Sequence, residues 1–266
     1  MMDLHLQNKV AVVTGASKGI GFAIAAALAQ EGVRVVAASR GQSPELIELA
    51  DRFSVLPVAL DMSTADGPGT LIERAVTQFG RVDILINNVG GTQMHAGGFL
   101  SISDADWYRT FDMNVMSTVR TSRAALPHMV EQGSGVIINI SSVNAHLPVA
   151  QITNYCAAKA AANSLSKALA EEFGPKGVRV NTVSPGTVRT PQWDSDGGNA
   201  DIIGEAFGVD RETVLSQLPK VNNMTINRLI RPEEVAALVV FLASDHAAAI
   251  VGADYIIDGG SLKAVL

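Results

Sequence analysis

Short apolar runs recur along the chain at Val10–Val13, Val33–Ala38, Val55–Leu60, Ile84–Ile86, Val136–Ile140, Val178–Val183 and Tyr255–Ile257. Each is too short for a helix, and longer stretches of helical character lie between them. Strands alternating with helices predict an α/β domain whose parallel sheet is covered on both faces. Right-handed crossovers then make the sheet doubly wound. One stretch breaks the rhythm, from Val188 to about Ile230. It carries Trp193, a turn-like tract Asp194–Asn199, and Phe207, Leu215, Leu218 and Met224. A long excursion before the last helix predicts a lid over a site. No domain boundary, repeat or low-complexity tract appears, so residues 1–266 read as a single domain.

The first run leads into Thr14-Gly15-Ala16-Ser17-Lys18-Gly19-Ile20-Gly21 and then an alanine-rich stretch ending before Gly32. Strand, glycine loop and helix form the context for a dinucleotide in a Rossmann-type fold. Glycines let the backbone approach a pyrophosphate, and the helix start offers free N–H groups. Farther on, Tyr155 and Lys159 stand four residues apart, with Ser141-Ser142 thirteen to fourteen residues upstream. On a helix, positions i and i+4 share a face. A cation beside a phenol favours the phenolate, so the spacing predicts a Tyr155 pKa lowered from about 10 towards neutrality. Such a group can exchange a proton with a carbonyl or alcohol oxygen. Alone, this spacing is common; the glycine loop gives it weight.

Hydrophobic residues make up 47% of the chain, without an uninterrupted run of bilayer-spanning length. The segment Met1–Lys9 lacks the apolar core of a secretory signal. A single cysteine, Cys156, permits no internal disulfide and fits a reducing cytoplasm. The formal net charge is −6 with scattered Lys and Arg, which argues against nucleic-acid or anionic-membrane partners. The five histidines show no metal-ligand spacing, so no metal is expected.

From about Leu6 to Gly260 the chain resembles the short-chain dehydrogenase/reductase family in its common short form. The landmarks occur in order: the glycine loop, Asp61 after the third strand, Asn87-Asn88-Val89-Gly90 after the fourth, Asn114, Ser142, Tyr155 and Lys159, then Asn181, Pro185-Gly186 and Thr190. Val89 departs from the pattern, standing where the family usually has alanine, and predicts altered packing beside the cofactor.

The resemblance implies hydride transfer between a nicotinamide cofactor and a ketone or secondary alcohol. Tyr155 would be the acid/base, Lys159 would lower its pKa and hold ribose hydroxyls, Ser142 would bind the substrate oxygen, and Asn114 would hold a relay water. Gly15, Ser17, Lys18, Gly19, Ile20 and Gly21 would cradle the phosphates. Asp61 and Met62 would border the adenine, Asn88 and Gly90 its ribose, and Pro185, Gly186, Val188 and Thr190 the nicotinamide side. The second strand ends at Ser39-Arg40 without an acid, so Ser39, Arg40 and Lys18 predict NADP(H), with NAD(H) the alternative. Met94, His95, Val143, Asn144, Gln192 and Trp193 are the substrate candidates.

A 3-oxoacyl-acyl-carrier-protein reductase shares every landmark. The tract Trp193–Pro219, however, has six acids against one base, Arg211, which would repel an acidic carrier. A non-catalytic NADPH-binding regulator is the other alternative. The resemblance further implies a homotetramer, with a dimer second, paired through Met113–Val130, Thr153–Phe173 and Pro232–Asp258.

Overall fold

Seven apolar runs become parallel strands because each can be buried on both faces. In the computed structural model these are β1 (Val10–Thr14), β2 (Arg34–Ser39), β3 (Val55–Ala59), β4 (Ile84–Asn87), β5 (Gly135–Ile140), β6 (Val178–Pro185) and β7 (Asp254–Ile257). The structure describes residues 3–264; Met1, Met2, Val265 and Leu266, part of the single-domain and N-terminal readings, lie outside the described residues. The sheet order is β3-β2-β1-β4-β5-β6-β7 and every pairing is parallel. Every residue of β1, β4 and β5 is buried. Pro57 sits in edge strand β3, where a missing N–H costs no ladder bond.

The helices are α1 (Gly19–Gln30), α2 (Pro44–Arg52), α3 (Gly67–Phe79), α4 (Asp104–Phe111), α5 (Ser117–Gln132), α6 (Thr153–Phe173), α7 (Pro191–Asp194), α8 (Asn199–Phe207), α9 (Arg211–Val221) and α10 (Pro232–Ala243). One core, holding Ile24, Leu28, Val235 and Val239, joins α1 and α10 to the sheet. The other, holding Leu71, Ile72, Leu126 and Met129, joins α3 and α5 to the opposite face. Among the described residues no helix is long and apolar enough to cross a membrane.

The chain order reverses between β1 and β4, so their C-terminal ends diverge and open a crevice. The excursion predicted at Val188–Ile230 leaves and returns at one place. A bridge pairs Val188 with Ile230, and the Arg189 N–H donates to Ile230 O at 2.8 Å. It holds three helices, α7 to α9, and Leu215, Leu218 and Met224 are buried into the first core while Phe207 is exposed.

At the opposite end of the sheet, buried Asp83 accepts the Val10 N–H at 2.8 Å and pairs with Arg81. Asp83→Ala would leave that buried N–H without a partner. We expect a loss of about 2 kcal/mol in stability, read as a lower urea midpoint, with nucleotide affinity unchanged.

Candidate active site

Thr14 and Asn88 build the crevice between β1 and β4. The Thr14 hydroxyl accepts the N–H groups of Asn88 (2.9 Å) and Val89 (3.1 Å). The Asn88 amide donates to Thr14 O (3.0 Å) and Gly15 O (3.2 Å), so both of its N–H bonds shape the loop. Gly15 and Gly19 have φ of +68° and +58°, which side chains rarely adopt. A Cβ on Gly21 would lie 2.2 Å from Gly15 O. The helix α1 begins at Gly19 without a side-chain cap, leaving its first N–H groups for an anion. Ser17 and Ile20 complete this turn and remain partly exposed. A cradle that any Cβ would fill fits a dinucleotide pyrophosphate. Val89 abuts it, with Cγ2 3.4 Å from the Cβ position of Gly15.

Beyond the cradle lies a cavity of about 600 Å³ lined by Ser17, Lys18, Phe22, Arg40, Gln42, Ser43, Glu45 and Pro191, among others. Two of the expected cofactor residues are buried here. Ser39 is buried and donates to Gly41 O at 2.7 Å, so its hydroxyl turns inward while Arg40 is exposed. Met62 is 2% exposed and packs in the second core. Asp61 is exposed. Hydrogen bonds from the Ser63 N–H and hydroxyl hold its carboxyl below the usual range, and Arg40 adds to this.

Just before the Val188–Ile230 excursion, Pro185 closes β6 and the Gly186 N–H donates to Ile257 O at 2.9 Å. Val188 is buried, whereas Thr190 caps α7 and lies 3.3 Å from the Cβ position of Gly19. The start of the Val188–Ile230 excursion therefore meets the glycine loop.

The catalytic candidates converge past the cradle. Tyr155 and Lys159 project from α6, and the Lys159 Nζ lies 5.7 Å from the Tyr155 ring centre and donates to Ile140 O at 3.0 Å. Burial pushes the Tyr155 phenol up to about 12, although part of the residue stays open, and the Ser142 hydroxyl pulls the other way. Burial lowers Lys159 to about 8. Burial thus works against the predicted fall of the Tyr155 pKa. Ser142 Oγ accepts from the Asn144 N–H (3.1 Å) and donates to Asn144 Oδ1 (3.2 Å), capping a short 3₁₀ turn at Val143–Ala145.

Asn114 lies in a π-turn, Asp112–Met116, that joins α4 to α5. Such widened turns often mark functional sites. Its amide donates to Gly91 O (3.0 Å) and Thr110 O (2.9 Å), and its carbonyl accepts the Gly91 N–H (3.1 Å). Gly90, expected beside the adenine ribose, lies against these groups. A Cβ there would meet Asn114 Oδ1 at 2.8 Å and Lys159 Nζ at 3.0 Å. Gly90→Ala should displace both by a few tenths of an ångström. We expect turnover about tenfold lower with little change in melting temperature.

The substrate candidates differ in exposure. Met94 and Gln192 are exposed, Val143 is buried, and Trp193 packs against the first core. His95 is buried; its N–H reaches Gln151 O at 2.9 Å while its Nε2 has no partner. Thr92 on the same loop also has an unpartnered buried hydroxyl. His146 is taken up by Asp254 at 2.7 Å. Cys156 is buried and receives the Val149 N–H. The lid acids are partly neutralised: Arg189 pairs with Asp194 and Glu212, and Arg211 with Asp196 and Asp201. Among the described residues no cluster suited to a metal ion occurs. Sequence reasoning missed Thr14, Glu45 and Thr110. The Ser43-Pro44-Glu45 helix-start signature was the available signal for Glu45.

The family model described as "Enoyl-(Acyl carrier protein) reductase" matches residues 15–261. A D-threitol dehydrogenase of Mycolicibacterium smegmatis is 37% identical, covering 97% of this chain and 94% of that protein. A 3-oxoacyl-[acyl-carrier-protein] reductase of Thermotoga maritima is 33% identical over 97% of this chain and 99% of its own. The crystal structure of L-sorbose reductase from Gluconobacter frateurii, complexed with NADPH and L-sorbose, superimposes with a TM-score of 0.92. It is 36% identical and covers 99% of this chain and 100% of that one.

Proposed function

Because the chain belongs to the short-chain dehydrogenase/reductase family, we propose that it is an NADP(H)-dependent oxidoreductase interconverting a ketone and a secondary alcohol, with Tyr155 as acid/base. The carrying observation is the convergence of Tyr155, buried Lys159 and Asn114 around Gly90, next to a glycine cradle. The L-sorbose reductase and D-threitol dehydrogenase relatives support a small polyhydroxylated substrate.

The nicotinamide, when bound, supplies or accepts hydride. The residues of the chain handle everything else. Gly15, Ser17, Lys18, Gly19, Ile20 and Gly21 would hold the pyrophosphate, Lys18 and Arg40 a 2′-phosphate, Asp61 the adenine amino group, and Gly186, Val188 and Thr190 the nicotinamide side. Lys159 would hold ribose hydroxyls. With its pKa near 12, Tyr155 is a phenol at neutral pH and donates its proton to a carbonyl oxygen. The same oxygen, once deprotonated, would take the proton from an alcohol in the reverse direction. Ser142 turns its hydroxyl from Asn144 Oδ1 to the developing alkoxide. A water held at Asn114 would return the proton from solvent through Lys159. The helices α7 to α9 would close over the substrate, and Thr92, His95, Asn144, Gln192 and Trp193 would border it.

The test follows nicotinamide absorbance with NADPH and NADH over a panel of ketoses, polyols, diketones, quinones and a 3-oxoacyl thioester. Turnover of a ketose with NADPH supports the proposal. Turnover of the thioester alone would favour the acyl-carrier-protein reductase, a reading that gains from the paired lid acids. Nucleotide binding without turnover would favour a regulator. A cytoplasmic homotetramer completes the proposal, and a stable monomer in sedimentation would refute the assembly.

A further inference from the structure

The acid absent from the end of β2 is supplied by a different element. Strand β2 closes at Ser39-Arg40 without a carboxylate. Yet the cavity lined by Lys18 and Arg40 is also lined by Glu45. Ser43 caps α2 and Pro44 takes its first position, which sets Glu45 in the opening turn. Among the residues lining this cavity, Glu45 is the one carboxylate, and Lys18 and Arg40 are its two cations. The Ser43 hydroxyl and the residue's own N–H hold that carboxylate ionised, with its pKa below the usual range.

Two ribose groups would be treated oppositely here. A carboxylate accepts a hydrogen bond from a 2′-hydroxyl, as an acid does in NAD-binding sheets of this type. A 2′-phosphate has no proton to offer, carries up to two negative charges, and is repelled by the same carboxylate. Lys18 and Arg40 attract the phosphate and are indifferent to the hydroxyl. One cavity therefore holds the determinants for both nucleotides.

We propose that Glu45 is a cofactor-specificity residue. Its carboxylate binds the ribose 2′-hydroxyl of NAD(H) and opposes the 2′-phosphate of NADP(H), so the protein binds both and Glu45 sets their ratio. This rests on the nicotinamide-cofactor reading given above.

The test is direct binding by titration calorimetry, with NADPH and NADH and with the fragments 2′,5′-ADP and 5′-AMP, to wild type, Glu45→Gln and Glu45→Lys. Glu45→Gln should weaken NADH about fivefold and tighten NADPH about fivefold, the size of an exposed charge interaction. Glu45→Lys should tighten NADPH and 2′,5′-ADP further. The ratio of the two fragments within one protein sample is independent of any loss of folded protein. Unchanged affinities, or equal shifts for both nucleotides, would overturn the inference. A wild type that prefers NADH, with the preference lost in Glu45→Gln, would overturn the NADP(H) reading and uphold this one. A wild type that binds neither nucleotide would overturn both.

Discussion

Tyr155→Phe is expected to lower turnover about 10³-fold while NADPH binding stays close to wild type. The substitution removes one oxygen and keeps the ring, so packing around α6 should survive. That oxygen carries the proton the carbonyl needs, and no other acid stands ready to replace it. Lys159, with its pKa near 8, holds a proton at neutral pH, but its Nζ donates to Ile140 O. Ser142 is a weak acid engaged with Asn144. Single-turnover rates with saturating NADPH, alongside nucleotide titration, separate the outcomes. Loss of rate with binding retained assigns the proton to Tyr155. Near-normal turnover would remove it from the mechanism and leave Lys159 or a water as the acid.

The fold was legible because parallel strands buried on both faces must be apolar throughout. The run Val136–Ile140 and the strand β5 differ by one residue. The glycine loop was legible for a comparable reason: a backbone that must pass 2.2 Å from a would-be Cβ tolerates little besides glycine, and the requirement is written in the residue type. What was hidden depends on elements meeting in space. Glu45 lies six residues past the end of β2 and reaches the cofactor cavity through the entry angle of α2, which strand-end reasoning does not follow. The π-turn around Asn114 is a one-residue expansion within an ordinary helical pattern. The lid's acid count gave a correct charge but missed that Arg189, just outside the counted tract, pairs with two of its acids. The burial that opposes a fall in the Tyr155 pKa was hidden for the same reason. Spacing shows a cation nearby, but it does not show how deeply both groups are buried.

That burial makes Lys159→Met a test with opposite effects on function and stability. Activity should fall at least about 10²-fold, because the charge beside Tyr155 and the ribose-binding donor are both removed. Stability at pH 7 should rise. A lysine lowered from 10.5 to about 8 holds its charge in the folded protein at a cost of roughly 3 kcal/mol. Methionine matches the shape of the stem, and the lost bond to Ile140 O gives back about 1 kcal/mol. The net gain of about 2 kcal/mol corresponds to a melting temperature about 5 °C higher. The pH dependence has a definite sign. Between about 8 and 10.5 the unfolded wild-type chain binds the proton that the folded chain releases, so wild-type stability rises with pH through that window. The advantage of Lys159→Met should therefore be full below pH 8 and shrink towards pH 10. Above pH 10 the raised pKa of Tyr155 acts the other way and lowers the stability of both proteins alike. Melting curves without added nucleotide at pH 7 and pH 9.5 check this. A variant less stable than wild type at pH 7 would mean that the ammonium is solvated or paired, and that its position in the site is held by attraction instead of being imposed by the fold.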